Sequence, residues 1–191
     1  MKKIDYHPPL YKGNIYHIYN RGNGNEKIFF NHRNYLYFIN QYYNYLLDYL
    51  DTFAYCLLQN HFHLLARPKI DNPEVISEGI RRFFISYSMA VNIQEKRKGN
   101  LFQRGFKRKV IDDERYLYSS VYYIHSNPVH HKITNDLKKY PYSSYNILLK
   151  DNQTNLCRDE VFEWFNGKEN FVKYHSEYGE DYNKEFIIEE D

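Results

Sequence analysis

Two histidines one residue apart, His61-Phe62-His63, lie in a stretch that reads as a β-strand, Gln59-Asn60-His61-Phe62-His63-Leu64-Leu65. Side chains on a strand alternate between faces, so His61 and His63 point the same way while Phe62 enters the opposite layer. Far downstream, Tyr123-Ile124-His125-Ser126-Asn127-Pro128 sets an amide four residues after a tyrosine, a spacing that shares one face of a helix. Two imidazoles, an amide oxygen and a phenol could form a divalent-metal site with a nucleophile beside it. His61, His63 and Asn127 would be the ligands and Tyr123 the nucleophile. A mixed N/O set without thiolate suits Mg2+ or Mn2+, with imidazole favouring Mn2+. A tyrosine hydroxyl has a reference pKa of about 10 and needs a base or a metal-polarised target. Such a set can cut and rejoin a phosphodiester strand.

Positioning these groups requires a particular order of elements. Asn14 to Asn20 alternates as a strand and ends in the glycine-punctuated loop Arg21-Gly22-Asn23-Gly24-Asn25. Asn31 to Tyr49 has helical spacing, with Leu36, Ile39, Tyr43 and Leu46-Leu47 on one side. Thr52 to Leu58 is an apolar strand, Gln59-Asn60 a tight turn, and His61 to Arg67 the antiparallel return. Pro73 opens a long helix to about Lys98, followed by Gly99-Asn100. Phe106 to Ile111 reads as a fourth strand, and Asp112 as the cap of a helix stopped by Pro128. The order β-α-β-β-α-β-α predicts an α+β protein. Its ferredoxin-like split βαβ core has an antiparallel sheet with helices on one face, plus an added tyrosine-bearing helix. At about 100° per residue, Leu117, Val121 and Ile124 make that helix's core stripe, and Tyr123 and Asn127 share one flank. His125 points across the helix. The expected domain covers residues 1–149, and residues 150–191 form a helical extension with an acidic tail.

Composition narrows the classes. Aromatic residues make up 19% of the chain, with 22 Tyr and 13 Phe, which fits either an aromatic core or a surface on which bases stack. Formal net charge is +2, yet Ser176 to Asp191 holds seven acids against one lysine. That tail carries −6, which leaves +8 on residues 1–175, a basic body suited to a polyanion. The two cysteines, Cys56 and Cys157, give neither a disulfide framework nor a zinc pattern. Met1-Lys2-Lys3 is not followed by an apolar run, and no stretch approaches the length of a membrane span. The expectation is a cytoplasmic protein, associated with the nucleoid when bound to DNA.

Asn60-His61-Phe62-His63-Leu64-Leu65 resembles the HUH motif of single-tyrosine transposases. Tyr123-Ile124-His125-Ser126-Asn127-Pro128-Val129 resembles the tyrosine helix of the REP-associated tyrosine transposase branch. The same likeness extends to Tyr19-Asn20-Arg21-Gly22-Asn23, Phe102-Gln103-Arg104-Gly105-Phe106 and Tyr140-Pro141-Tyr142-Ser143-Ser144-Tyr145, in the family's order over roughly residues 13–146. The resemblance implies a metal-dependent ferredoxin-like nuclease that binds DNA hairpins of repetitive palindromic elements and nicks single strands through a covalent 5′-phosphotyrosine. Candidate DNA contacts are Arg21, Asn23, Arg81, Arg82, Arg104, Lys107 and Arg108, each of which could instead close a loop or line a solvated face. Two departures stand out. His130-His131-Lys132 follow where the family usually has Arg and small residues, and the segment beyond about Lys150 matches nothing general in the family.

Two other readings stay open at this point. A non-catalytic ferredoxin-like module could bind single strands by stacking bases on an exposed sheet. A replication-initiator or relaxase nickase would use the same chemistry, but the histidine pair before a tyrosine with an Asn four residues later argues against it. Monomer and homodimer, and a tyrosine serving its own or a partner's site, are equally compatible with the sequence.

Overall fold

Alternation along the strands decides which side chains of the sheet meet which helices. The computed structural model describes residues 7–177, so only Ser176 and Glu177 of the acidic segment are among the described residues. The chain runs β1 (Ile15–Arg21), α1 (His32–Leu46), β2 (Leu50–Leu58), β3 (His61–Pro68), α2 (Pro73–Gln94), β4 (Lys107–Ile111) and α3 (Glu114–His130). The sheet order is β2-β3-β1-β4 with antiparallel neighbours. Each βαβ unit is therefore split by a strand of the other, and the fold is ferredoxin-like.

Phe62 packs against Phe38 of α1 and Phe84 of α2, so these two helices cover one face. His61 and His63 face the other way, where α3 lies across β2, β3 and β4. The largest fully buried side chains include Tyr16, Tyr42, Tyr87, Tyr145 and six phenylalanines, so aromatic richness goes largely into the core. Two of the most deeply buried tyrosines keep their hydroxyls bonded: Tyr42 to Thr52 Oγ1 at 2.7 Å, and Tyr87 donating to the Ile28 carbonyl at 2.7 Å. An unmet hydroxyl at these depths would cost about 1–3 kcal/mol, so these partners are what make a tyrosine core tolerable.

Four details depart from the sequence reading. The inward face of α1 is Asn34, Tyr35, Phe38, Tyr42 and Leu46, while Leu36 is 53% exposed. Leu46 is buried as expected, but Tyr35, Phe38 and Tyr42 fill most of the space that α1 covers. The cap of α3 is Asp113, not Asp112; its carboxylate accepts from the Arg115 and Tyr116 amides, a cap worth about 1 kcal/mol. Pro128 does not stop the helix, which continues to His130. A proline there deletes one internal hydrogen bond near the end, and the Pro128 carbonyl is met by the Ile133 amide at 2.9 Å. Similarly α2 ends at Gln94 rather than near Lys98, because Lys96 turns left-handed (φ 52°) and the Arg97 amide folds back to the Asn92 carbonyl.

Residues beyond α3 add α4 (Tyr145–Leu149), α5 (Arg158–Trp164) and α6 (Lys168–Glu177). The chain between them runs along the outer edge of β2. The Leu57 amide donates to the Tyr142 carbonyl at 3.0 Å, the Ser144 amide to Tyr55 and the Cys157 amide to Thr52, both at 2.9 Å. An edge that would otherwise offer unpaired backbone groups is thereby closed. Arg67 on β3 ties the same region down, binding both carboxylate oxygens of Glu160 on α5 and one of Asp51 on β2. Among the described residues no helix is long and apolar enough to cross a membrane.

Candidate active site

The two-residue turn Gln59-Asn60 fixes where the histidine pair begins. Its carbonyls are taken by the loop after β1: Ile28 and Phe29 amides donate to Gln59, and Gly22 donates to Asn60 at 2.7 Å. Gly22 is needed in that loop, since a Cβ there would sit 1.9 Å from the Glu26 carbonyl oxygen. The same loop pairs with the segment before β4. Asn23 donates to the Leu101 carbonyl and the Gln103 amide donates to Arg21, both at 2.9 Å, so the two glycine-containing motifs lie side by side.

In β1–β3 pairing, Tyr19 stands opposite His63 and Arg21 opposite His61, and directly paired residues share a face. His17, Tyr19, Arg21, His61 and His63 therefore project together toward α3. Lys107 and Lys109 join them from β4, opposite Tyr19 and His17. From α3, the Tyr123 ring meets His63 edge-on at 5.3 Å between centroids, and lies 6.0 Å from His17 and 6.2 Å from His130. Asn127 Oδ1 is 3.2 Å from His61 Nε2. Thus Tyr123, His61, His63 and Asn127, drawn from segments sixty residues apart, converge in one buried cluster.

Proton bookkeeping around His61 tests whether a cation fits. The Asn60 amide donates to Asn25, leaving its oxygen to accept from His61 Nδ1 at 2.7 Å. Nε2 then carries its lone pair toward Asn127. As placed, Asn127 Oδ1 confronts that lone pair and its Nδ2 is buried without a hydrogen-bond partner. Turning the amide over would let it donate to His61 and leave the oxygen unmet instead. Either way a fully buried amide lacks one partner, and the 3.2 Å separation is close to the roughly 3.0 Å expected between adjacent ligands about 2.1 Å from one ion. Among the described residues no group of three or more His, Cys, Asp or Glu is placed to hold an ion, so an all-charged or all-imidazole site is not the alternative. The residues fit a cation held by two imidazoles and an amide.

His17, Tyr19, His130 and His131 complete the surroundings and were not among the candidate ligands or nucleophiles. His17 Nε2 is 2.8 Å from His63 Nδ1, and the His131 ring lies 4.8 Å from that of His61. Burial, and then the neighbouring His131, hold the His130 pKa below the ordinary histidine range. The His17-x-Tyr19 alternation on β1 is the signal that could have found the first two, because it mirrors His61-x-His63 across the sheet. His125 lies elsewhere, fully buried between His175 Nε2 and Ser144 Oγ, each at 2.9 Å.

The candidate DNA contacts fall into different settings. Arg21 and Lys107 share the site face, with the Lys107 amine 5.9 Å from the Tyr19 ring. Arg81 and Arg104 line an open groove of about 780 Å³ between α2 and residues 99–106, and Asn23 is exposed nearby in sequence to Arg21. Arg81 and Arg82 both bind Glu78, while Arg108 points to the opposite face and donates to the Pro8 and His7 carbonyls.

No family model matches the chain. A putative REP-associated tyrosine transposase of Haemophilus influenzae is 30% identical over 103 residues, which cover 50% of this chain. The match spans 58% of that relative's length. A solved structure of a REP-associated tyrosine transposase bound to a REP hairpin aligns with a TM-score of 0.63 at 18% identity, covering 77% of this chain and 86% of that one. The chain is similar to REP-associated tyrosine transposases. At that identity the solved structure speaks to the fold, which the two proteins share.

Proposed function

We propose that the chain is a REP-associated tyrosine transposase that nicks and rejoins single-stranded DNA beside a hairpin. The carrying observation is the convergence of Tyr123 with His61, His63 and Asn127 in one cluster on the α3 face of the sheet. The similar Haemophilus protein and the hairpin-bound structural neighbour support the same reading.

In the proposed reaction, Tyr123 Oη attacks the scissile phosphorus. A phosphorus–tyrosine oxygen bond forms as the bond to the 3′ oxygen breaks. The phenolic proton is lost, the departing oxygen gains one, and the products are a 5′-phosphotyrosine and a 3′-hydroxyl. Attack by another strand's 3′-hydroxyl reverses these steps and releases Tyr123. The ester bond is conserved throughout, so no nucleotide hydrolysis is required. His61, His63 and Asn127 would hold Mg2+ or Mn2+, which when bound draws charge from the phosphate oxygens. The packed rings of His63, His17 and His130 restrict the Tyr123 rotamer and so fix the line of attack.

The base-stacking module is disfavoured by the same structure. An RNA-recognition-like sheet needs an open face, whereas here α1 and α2 cover one face and α3 the other. The deciding experiment uses a hairpin oligonucleotide with a single-stranded flank and Mn2+. Wild-type protein and Tyr122→Phe should form a denaturation-resistant protein–DNA adduct, and Tyr123→Phe should form none while binding the hairpin within about twofold of wild type, because the ring and its packing remain. Adduct formation by Tyr123→Phe would overturn the assignment.

A further inference from the structure

Beyond the ligands, one buried side chain bears directly on whether His63 can serve. His17 and His63 are 1% and 0% exposed, and His17 Nε2 lies 2.8 Å from His63 Nδ1. Each neutral imidazole has one donor nitrogen and one acceptor nitrogen, so one of the two rings must donate across this contact. If His17 donated, His63 would carry its proton on Nε2 and could not offer that nitrogen to a cation. If His63 donates from Nδ1, its Nε2 lone pair is available at the opposite edge of the ring.

We propose that His17 is a positioning residue: it accepts the Nδ1 proton of His63 and so holds His63 in the tautomer and orientation that present Nε2 to the site. The inference rests on the metal reading above for its purpose, but not for its geometry. His61 has an equivalent acceptor in Asn60 Oδ1, at 2.7 Å from Nδ1. Both histidines of the pair thus have a partner at Nδ1, as metal-binding imidazoles usually do. Two further observations favour this over plain packing. The contact bridges adjacent strands with both rings buried, where a Phe or Leu at position 17 would avoid desolvating an imidazole. His17 also touches the Tyr123 ring, so the side chain that orients the ligand packs against the nucleophile as well.

The test compares wild type, His17→Phe, His17→Gln and His63→Ala. Long-range proton–nitrogen NMR of the metal-free protein reads the His63 tautomer, and Mn2+ titration followed by electron paramagnetic resonance reads affinity. The wild type should show His63 protonated on Nδ1. His17→Phe should weaken Mn2+ binding by about 10–100-fold and shift His63 toward the other tautomer. His17→Gln, whose amide oxygen can accept the same proton, should recover most of the affinity. Melting temperature and hairpin affinity identify any variant that has merely lost its fold, and His17→Gln carries the test if His17→Phe does. A wild-type His63 protonated on Nε2, or unchanged Mn2+ affinity in a folded His17→Phe, overturns the proposal. A wild type with the expected tautomer that binds no Mn2+ would instead overturn the metal reading and leave the positioning role standing.

Discussion

At the scale of single residues the site depends on which polar atoms are satisfied before any ligand arrives. His61 has Asn60 on one nitrogen and Asn127 on the other, whereas the Asn127 amide has one atom unmet in full burial. This inequality sets the expected order of effects. His61→Ala and His63→Ala should each lower Mn2+-dependent nicking by more than about a hundredfold, because imidazole is the stronger ligand. Asn127→Ala should cost about tenfold, since water can take the place of an amide oxygen. Nicking rates of the three variants across a Mn2+ titration check this, with excess chelator abolishing wild-type activity. Cleavage that persists in chelator would remove the metal from the mechanism. Much of this geometry was legible in the sequence, since strand alternation put His61 and His63 together and helical spacing put Tyr123 beside Asn127. The partners His17 and Tyr19 were not, because nothing local reveals that β1 lies against β3 in the register that brings Tyr19 opposite His63.

At the scale of elements, order and type were readable, but phase and surroundings were less so. Tyrosine is the reason for α1: the expected stripe of Leu36, Ile39, Tyr43 and Leu46-Leu47 holds at Leu46, but Tyr35 and Tyr42 bury their rings and Leu36 stays outside. For α3 the reading gave a single core stripe, yet residues Ser120 to Pro128 are all buried. What covers the outer side is the later chain, with Tyr122 against Tyr174 and His125 bonded to His175. This contact is a latch built from neutral imidazoles. His175 Nδ1 donates to the Phe171 carbonyl at 2.8 Å, His125 Nδ1 donates to His175, and Ser144 Oγ donates to His125. Ser144 is fully buried and also accepts from the Tyr55 amide, so this serine–histidine chain has no access to a substrate. Burial pushes His125 well below the usual histidine range and brings His175 down to about 4. The folded state thus binds fewer protons than the unfolded chain, so stability is full above about pH 6.5 and falls as pH drops toward 4. The His175 shift alone corresponds to a loss on the order of 3 kcal/mol across that window. Denaturant unfolding at pH 7.5 and pH 5 should show the decline. His175→Phe should be less stable at pH 7.5 yet lose less on acidification. An equal acid loss in the variant would place the titrating groups elsewhere.

At the scale of the whole molecule, the +8 carried by residues 1–175 is spread unevenly relative to the site. Arg21 and Lys107 lie on the sheet face that Tyr123 meets, Arg81 and Arg82 share one glutamate, and Arg108 holds the segment before β1. These settings predict different consequences for the same loss of charge. Each phosphate neutralised on a single strand contributes about −0.7 to the slope of log affinity against log salt. If Arg21 and Lys107 each meet a phosphate of the flank, the Arg21→Ala/Lys107→Ala double variant should flatten that slope by about 1.4 for a hairpin with a single-stranded flank. On a closed duplex of equal length the double variant should change the slope less, because the duplex presents no unpaired strand to the α3 face. Arg82→Ala should leave both slopes nearly unchanged, as Glu78 already offsets its charge at 2.9 Å and the pair is exposed. Arg108→Ala should act on stability instead, lowering the melting temperature through the loss of its carbonyl contacts while keeping the slope. Fluorescence anisotropy of labelled hairpin and duplex at several salt concentrations reads all of these. Equal slopes for hairpin and duplex in wild type, unaltered in the double variant, would mean that the strand does not cross the face where Tyr123 waits, and the placement of the DNA on this fold would have to be reversed.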